Sequence, residues 1–198
     1  MKKIIFILIS IVYSVATLSQ NADSGKIIIT DKKDHTSIRI GDSVFTISHD
    51  YMAQTKLADG IKKGEEGDFE GAIGDFNTAL LFDMNNHEIY YNRGLAYYNL
   101  KDYEHALIDF DKSIEIDSNY FLSYNQRGII KCRQDNCLDA INDFNTAIRL
   151  KPDYALANFN LGIAYLQLAN FTDACLQLNK AKELGYENAD NIIDQYCK

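Results

Sequence analysis

The chain has 198 residues, of which 46% are hydrophobic and 12% aromatic, enough to build one domain around a substantial core. Its formal net charge is −8 and no basic stripe is present. That argues against nucleic acid and against an anionic membrane surface, both of which are met with clustered Lys and Arg.

The first nineteen residues have the form of a secretory leader. Lys2 and Lys3 supply the positive start, residues 4–15 the apolar stretch, and Ser14-Val15-Ala16 or Thr17-Leu18-Ser19 the cleavage site. The apolar stretch is shorter than the roughly 20 residues a spanning helix needs. The expectation is a cleaved leader and an exported chain, periplasmic or secreted. Residues 20–50 form an extension with three β-branched runs, 26–30, 37–40 and 44–48. Gly41-Asp42 lies between the last two and offers a hairpin turn. Two readings stand for this extension: a β-hairpin leaning on the first helix or a partner, or an extended linker.

From residue 51 a fixed period of 34 takes over. Gly60, Gly94, Gly128 and Gly162 are one such series, and Ala72, Ala106, Ala140 and Ala174 another. Phe76, Phe110 and Phe144 make a third, closed by Leu178. Constant spacing over four copies means a stacked repeat array. Within each copy the apolar residues follow helical spacing. First helices are predicted near 51–66, 87–100, 121–134 and 155–168. Second helices are predicted near 69–82, 103–116, 137–150 and 171–184. The small residues fall where the paired helices touch, and Phe110 fills the space beyond. Asp102 is placed to cap a second helix, and Pro152 ends one. The first copy holds Gly64, Gly71 and Gly74 inside helices, where each costs about 1 kcal/mol relative to Ala. Its hairpin should be soft. Ala189, Ile192, Ile193 and Tyr196 make a half-apolar helix that can cover the last repeat, after a stop at Gly185.

The pattern Tyr90-x2-Arg93-Gly94-x2-Tyr97 … Ala106-x3-Phe110 resembles the tetratricopeptide repeat, and the resemblance covers about 53–188. It implies an all-α fold in a domain spanning 51–198. The array would be a right-handed α-solenoid of four helix-turn-helix repeats, 53–86, 87–120, 121–154 and 155–188, with a capping helix at 188–198. A candidate β-hairpin precedes it.

No catalytic constellation is found. His35, His49, His87 and His105 are scattered, and no zinc-type or nucleophile motif occurs. The expectation is a protein that is not an enzyme, with no metal and no cofactor. Asp75, Asp109 and Asp143 recur at the repeat step beside Arg93 and Arg127, which predicts Arg–Asp ties across helix pairs; Asp59 in the first copy does not fit. Cys132 and Cys137 flank one turn, and Cys175 could meet Cys197 on the cap. Disulfides and buried thiols are both open readings for these four.

Groove residues follow from the family resemblance, which puts ligand contacts at repeat positions 2, 5, 9, 12 and 13 of the first helices. Carried onto this sequence they include Tyr91, Leu95, Tyr98, Leu122, Asn125, Ile129, Cys132, Leu156, Phe159, Ile163 and Leu166. Asn92, Gln126 and Asn160 at position 6 form a polar series, either backbone ligands for an extended peptide or ordinary family usage. The Lys and Asn clamp for a terminal carboxylate is absent. The implied function is a non-catalytic scaffold holding a polypeptide partner in this groove. The alternative is a structural or self-assembling, homo-oligomeric component of an envelope complex.

Overall fold

Runs rich in β-branched residues at the start of the described chain form an antiparallel meander of three strands, β1 (Ile27–Asp31), β2 (His35–Ile40) and β3 (Ser43–Ser48). This computed structural model describes residues 27–40 and 43–197. The expected leader, its cleavage sites and the Gly41-Asp42 turn lie outside them. The sheet has one strand more than the expected hairpin, because the run at 26–30 pairs with β2 in the register Ile29 to Ile38. Period-two alternation buries Thr36 and Ile38 on one face and leaves Ile28 and Val44 exposed.

The chain divides into two units, residues 1–85 and 86–198. In the first, β3 runs directly into helix α1 (His49–Glu65), and Ser48 both ends the strand and caps the helix. His49 Nε2 lies 2.9 Å from the Thr36 hydroxyl, which donates to Asp31 at 2.7 Å, so the sheet is tied to the first turn of α1. Helix α2 (Phe69–Ala79) completes the first hairpin. It stops short of the expected residue 82. Leu81 and Phe82 donate to Thr78 and Ala79, tightening the chain out of the α-helical path.

The second unit carries α3 (His87–Asn99), α4 (Tyr103–Ile116), α5 (Phe121–Arg133), α6 (Cys137–Leu150), α7 (Ala155–Gln167), α8 (Phe171–Glu183) and α9 (Ala189–Tyr196). These are three helix pairs and a cap, and the fold class is an all-α solenoid of tandem helix-turn-helix repeats, preceded in the sequence by a small sheet.

Each turn within a pair follows one recipe. Gly67, Lys101, Asp135 and Ala169 take left-handed backbone, with φ of 85, 62, 63 and 56°. The next residue, Asp68, Asp102, Asn136 or Asn170, caps the second helix by accepting from the backbone three residues on. Gly67 removes the left-handed strain and Asp135 tolerates it, whereas Lys101 and Ala169 have no such compositional relief. The pairs close on small residues: Ala72, Ala106, Ala140 and Ala174 are fully buried. A Cβ on Gly94 would stand 2.8 Å from the Phe110 ring.

The carboxylate series is structural. Arg93 grips Asp109 through two bonds of 2.8 and 2.7 Å, and Arg127 grips Asp143 while reaching Asp111 at 2.6 Å. The first copy, which lacks the Arg, holds Asp75 with Lys56 and Lys63 instead. That explains why Asp59 did not fit. Burial pushes the Asp75 carboxyl up, but the two lysines outweigh it and leave it below the usual range. Burial also pushes Asp109 up, and there Arg93 only partly offsets it.

Candidate functional site

The candidate site lies on the first helices of the second unit, α3, α5 and α7, where helical spacing aligns positions 5, 9, 12 and 13 on one face. On α3, Tyr91 packs its ring 5.9 Å from Phe110 and 5.2 Å from Tyr120, and its hydroxyl bonds with Gln126. Burial raises this phenol above its ordinary value, so it stays a donor at any physiological pH. Leu95 and Tyr98 pack on the cluster of Ala106, Phe110 and Ile130. The Asn92 amide bonds back to the Glu88 carbonyl at 2.8 Å.

On α5, Asn125 is fully buried rather than part of an open surface. Its Oδ1 accepts from Asn160 on α7 at 2.9 Å, while its Nδ2 has no partner among the described residues. Of the polar series at position 6, Asn92 and Asn160 thus bond within the protein, and Gln126 meets Tyr91.

Between α5 and α7 the face opens into a hollow of about 330 Å³. Ile129 and Cys132 come from α5, Phe144 forms part of the floor from α6, and Phe159, Asn160, Ile163, Ala164 and Gln167 come from α7. The structure therefore gathers Ile129, Cys132, Phe159, Asn160 and Ile163 into one place. Tyr91, Asn92 and Leu95 belong to the α3 surface. Phe159 is steadied by Tyr186, 4.7 Å away between ring centres.

Arg133 also lines the hollow, with its guanidinium 5.5 Å above the centre of the Tyr98 ring. Sequence reading passed over this residue and over Gln167. Both stand at position 13, so the position count that singled out their neighbours could have found them.

The cysteines form two disulfides, Cys132–Cys137 across the α5–α6 turn and Cys175–Cys197 between α8 and the cap, the latter with Cα atoms 5.5 Å apart. Among the described residues no group of three or more His, Cys, Asp or Glu could hold a metal ion. No helix there is long and apolar enough to cross a membrane. What the site offers chemically is apolar shape, amides and one stacked cation.

Comparison with known proteins follows the same lines. A family model described as tetratricopeptide repeat matches residues 87–120, and a second, described as TPR repeat, matches 65–101 and 138–168. No curated protein matches the sequence significantly. Among solved structures, MamA 41-end from Desulfovibrio magneticus RS-1 is similar at 23% identity and a TM-score of 0.62, covering 68% of this chain and 76% of that one. Pseudomonas aeruginosa pilF gives 19% identity and a TM-score of 0.65, covering 69% of this chain and 63% of that one. The first TPR of Spaghetti (RPAP3), solved bound to the HSP90 peptide SRMEEVD, gives 24% and 0.58, covering 60% and 94%. These likenesses are in fold. Together with the 34-residue period and the matched repeats, they make this chain a tetratricopeptide-repeat protein.

Proposed function

We propose that this protein is a non-catalytic interaction module that holds an extended polypeptide against the first helices of its second unit. The hollow between α5 and α7 carries the reading: apolar walls from Ile129, Phe159 and Ile163, with Asn160 and Gln167 at hand for a peptide backbone. Ligand pockets combine apolar lining with a few polar groups in this way. A similarly folded domain, that of RPAP3, was solved with a peptide bound. The leader-like start and the two disulfides support an exported protein, since disulfides persist in oxidising compartments. Capture from the native cell envelope with the immobilised chain tests the reading. A partner retained by the unmodified protein and lost with Phe159→Ala upholds it, and retention by both overturns it.

The second reading is self-assembly, favoured by the outer sheet face, where Ile28 is 46% and Val44 52% exposed. Light scattering coupled to size exclusion separates the two. A monomer favours partner capture and a defined oligomer favours assembly.

A further inference from the structure

We propose that the hollow selects a segment carrying an Asp or Glu side chain next to a large apolar one. The apolar group fills the hollow and the carboxylate pairs with Arg133. This rests on the groove reading above and specifies its ligand.

The hollow is at the small end of ligand pockets, sized for one or two side chains rather than a cofactor. Its walls are apolar except for Arg133, Asn160 and Gln167. Arg93 and Arg127 each spend their guanidinium on a buried Asp. Arg133, by contrast, has no carboxylate partner among the described residues, and its guanidinium lies over the Tyr98 ring face. A guanidinium stacked on an aromatic face keeps its in-plane N–H groups available, and that fork matches a carboxylate. The last turn of α5 favours a cation electrostatically. The repeat does not demand one, because Asn99 and Gln167 occupy the equivalent positions in the flanking copies.

A single guanidinium with no second cation in the lining suits a singly charged carboxylate better than a phosphate dianion. Asn160 has committed its Nδ2 to Asn125, which leaves its Oδ1 to accept a backbone N–H. Tyr98, beneath Arg133, continues the face toward α3, so a segment can run past Arg133 instead of ending there. That favours a side-chain carboxylate over a chain terminus. In a chain of net charge −8, selection of this kind acts at contact and not through long-range attraction.

The test uses the full chain with labelled Ile methyls and Arg side chains, titrated with two acetylated, amidated peptides, Ala-Ala-Leu-Glu-Ala and Ala-Ala-Leu-Gln-Ala. The Glu peptide should shift the Ile129 and Ile163 methyls and the Arg133 Nε–H. It should bind about threefold to fivefold more tightly than the Gln peptide, the range of an exposed ion pair. In Arg133→Gln that ratio should fall to about one while the Gln peptide binds as before. Equal binding of the two peptides, a ratio surviving in Arg133→Gln, shifts elsewhere, or no shift at all would each overturn the proposal. If the ratio is one but Phe159→Ala still abolishes partner capture, carboxylate selection fails and the groove reading stands. If Phe159→Ala leaves capture intact, the groove reading itself fails.

Discussion

Gly128 and Phe144 fit together only because one has no side chain: a Cβ on Gly128 would stand 2.7 Å from the Phe144 Cε1. The same pairing holds Gly60 to Phe76 and Gly94 to Phe110, and Gly162 to Leu178 in the fourth copy. Each hairpin is therefore closed by an aromatic or Leu side chain lying on a glycine.

Gly128→Leu should destabilise by about 1–3 kcal/mol or more, since Phe144 is buried and has little room to give. Gly64 is the contrasting case, inside α1 with open space where a Cβ would stand, beyond its own helix backbone. Gly64→Ala should stabilise by up to about 1 kcal/mol. Urea midpoints of the two variants check both, and movement in the reverse directions refutes the helix-interface assignment.

The carboxyls of Asp75 and Asp109 should titrate on opposite sides of the ordinary Asp value of 3.8. Asp75 is held down by its lysines, so its stabilising contribution is present above that value and is lost as pH falls through its lowered midpoint. Asp109 is raised by burial, so its contribution is greatest at low pH and shrinks as pH rises through its midpoint. Acid should thus loosen α1 and α2 through Asp75, an effect Asp109 does not add to in α3 and α4. Carbon-13 carboxyl titration gives the midpoints, and amide exchange in the two hairpins gives the loosening. Midpoints in the reverse order would remove the basis for this difference.

Most of the helices were legible because their signal repeats. A glycine, an alanine and a Phe at a constant step of 34 fix the pairing, and the Asp or Asn caps fix the starts of the second helices. The left-handed turn residues were less legible: Gly67 advertises its φ and Asp135 is a type that tolerates it, but Lys101 and Ala169 adopt the same backbone with nothing in their composition to mark it. The third strand was missed because a run of Ile at 27–29 carries no alternation of its own, and its pairing with β2 decides its faces. At the site, position counting found the apolar residues but could not see that Asn125 is enclosed or that Arg133 folds over Tyr98. Those facts depend on side-chain packing between copies, which spacing along one helix does not encode.

Opening the Cys175–Cys197 bridge should free the cap. The bond closes a loop of sequence separation 22, for which chain entropy gives roughly 3 kcal/mol. Apart from it, α9 is anchored by fully buried Ala189, by an exposed ion pair of Asp190 with Lys182 at 2.8 Å, which contributes little, and by a loose stack of Tyr196 on Phe171 at 6.5 Å. Cys197→Ser should make the last 15 or so residues sensitive to protease under native conditions and lower the urea midpoint, with α3 to α6 retaining their exchange protection. Unchanged protease resistance would show that packing alone seats the cap.

Partner binding should depend on groove aromatics and little on bulk charge. Phe159 lines the hollow, and Tyr98 carries Arg133 beside it. Truncating a central aromatic anchor costs about 2 kcal/mol or more, roughly a thirtyfold loss of affinity. Phe159→Ala and Tyr98→Ala should therefore each abolish capture. Both rings are only half-buried, so the helical melt should shift far less than for Gly128→Leu. Raising salt to about 0.5 M should change affinity little, because screening acts on exposed charges and leaves apolar burial untouched. The contact between Arg133 and a partner carboxylate is the exposed, screenable part of the interaction, and its contribution should be the one that salt reduces. Affinity that collapses with salt and survives both truncations would place the partner on the acidic outer surface of the helices. A basic protein would then replace the extended segment as the ligand.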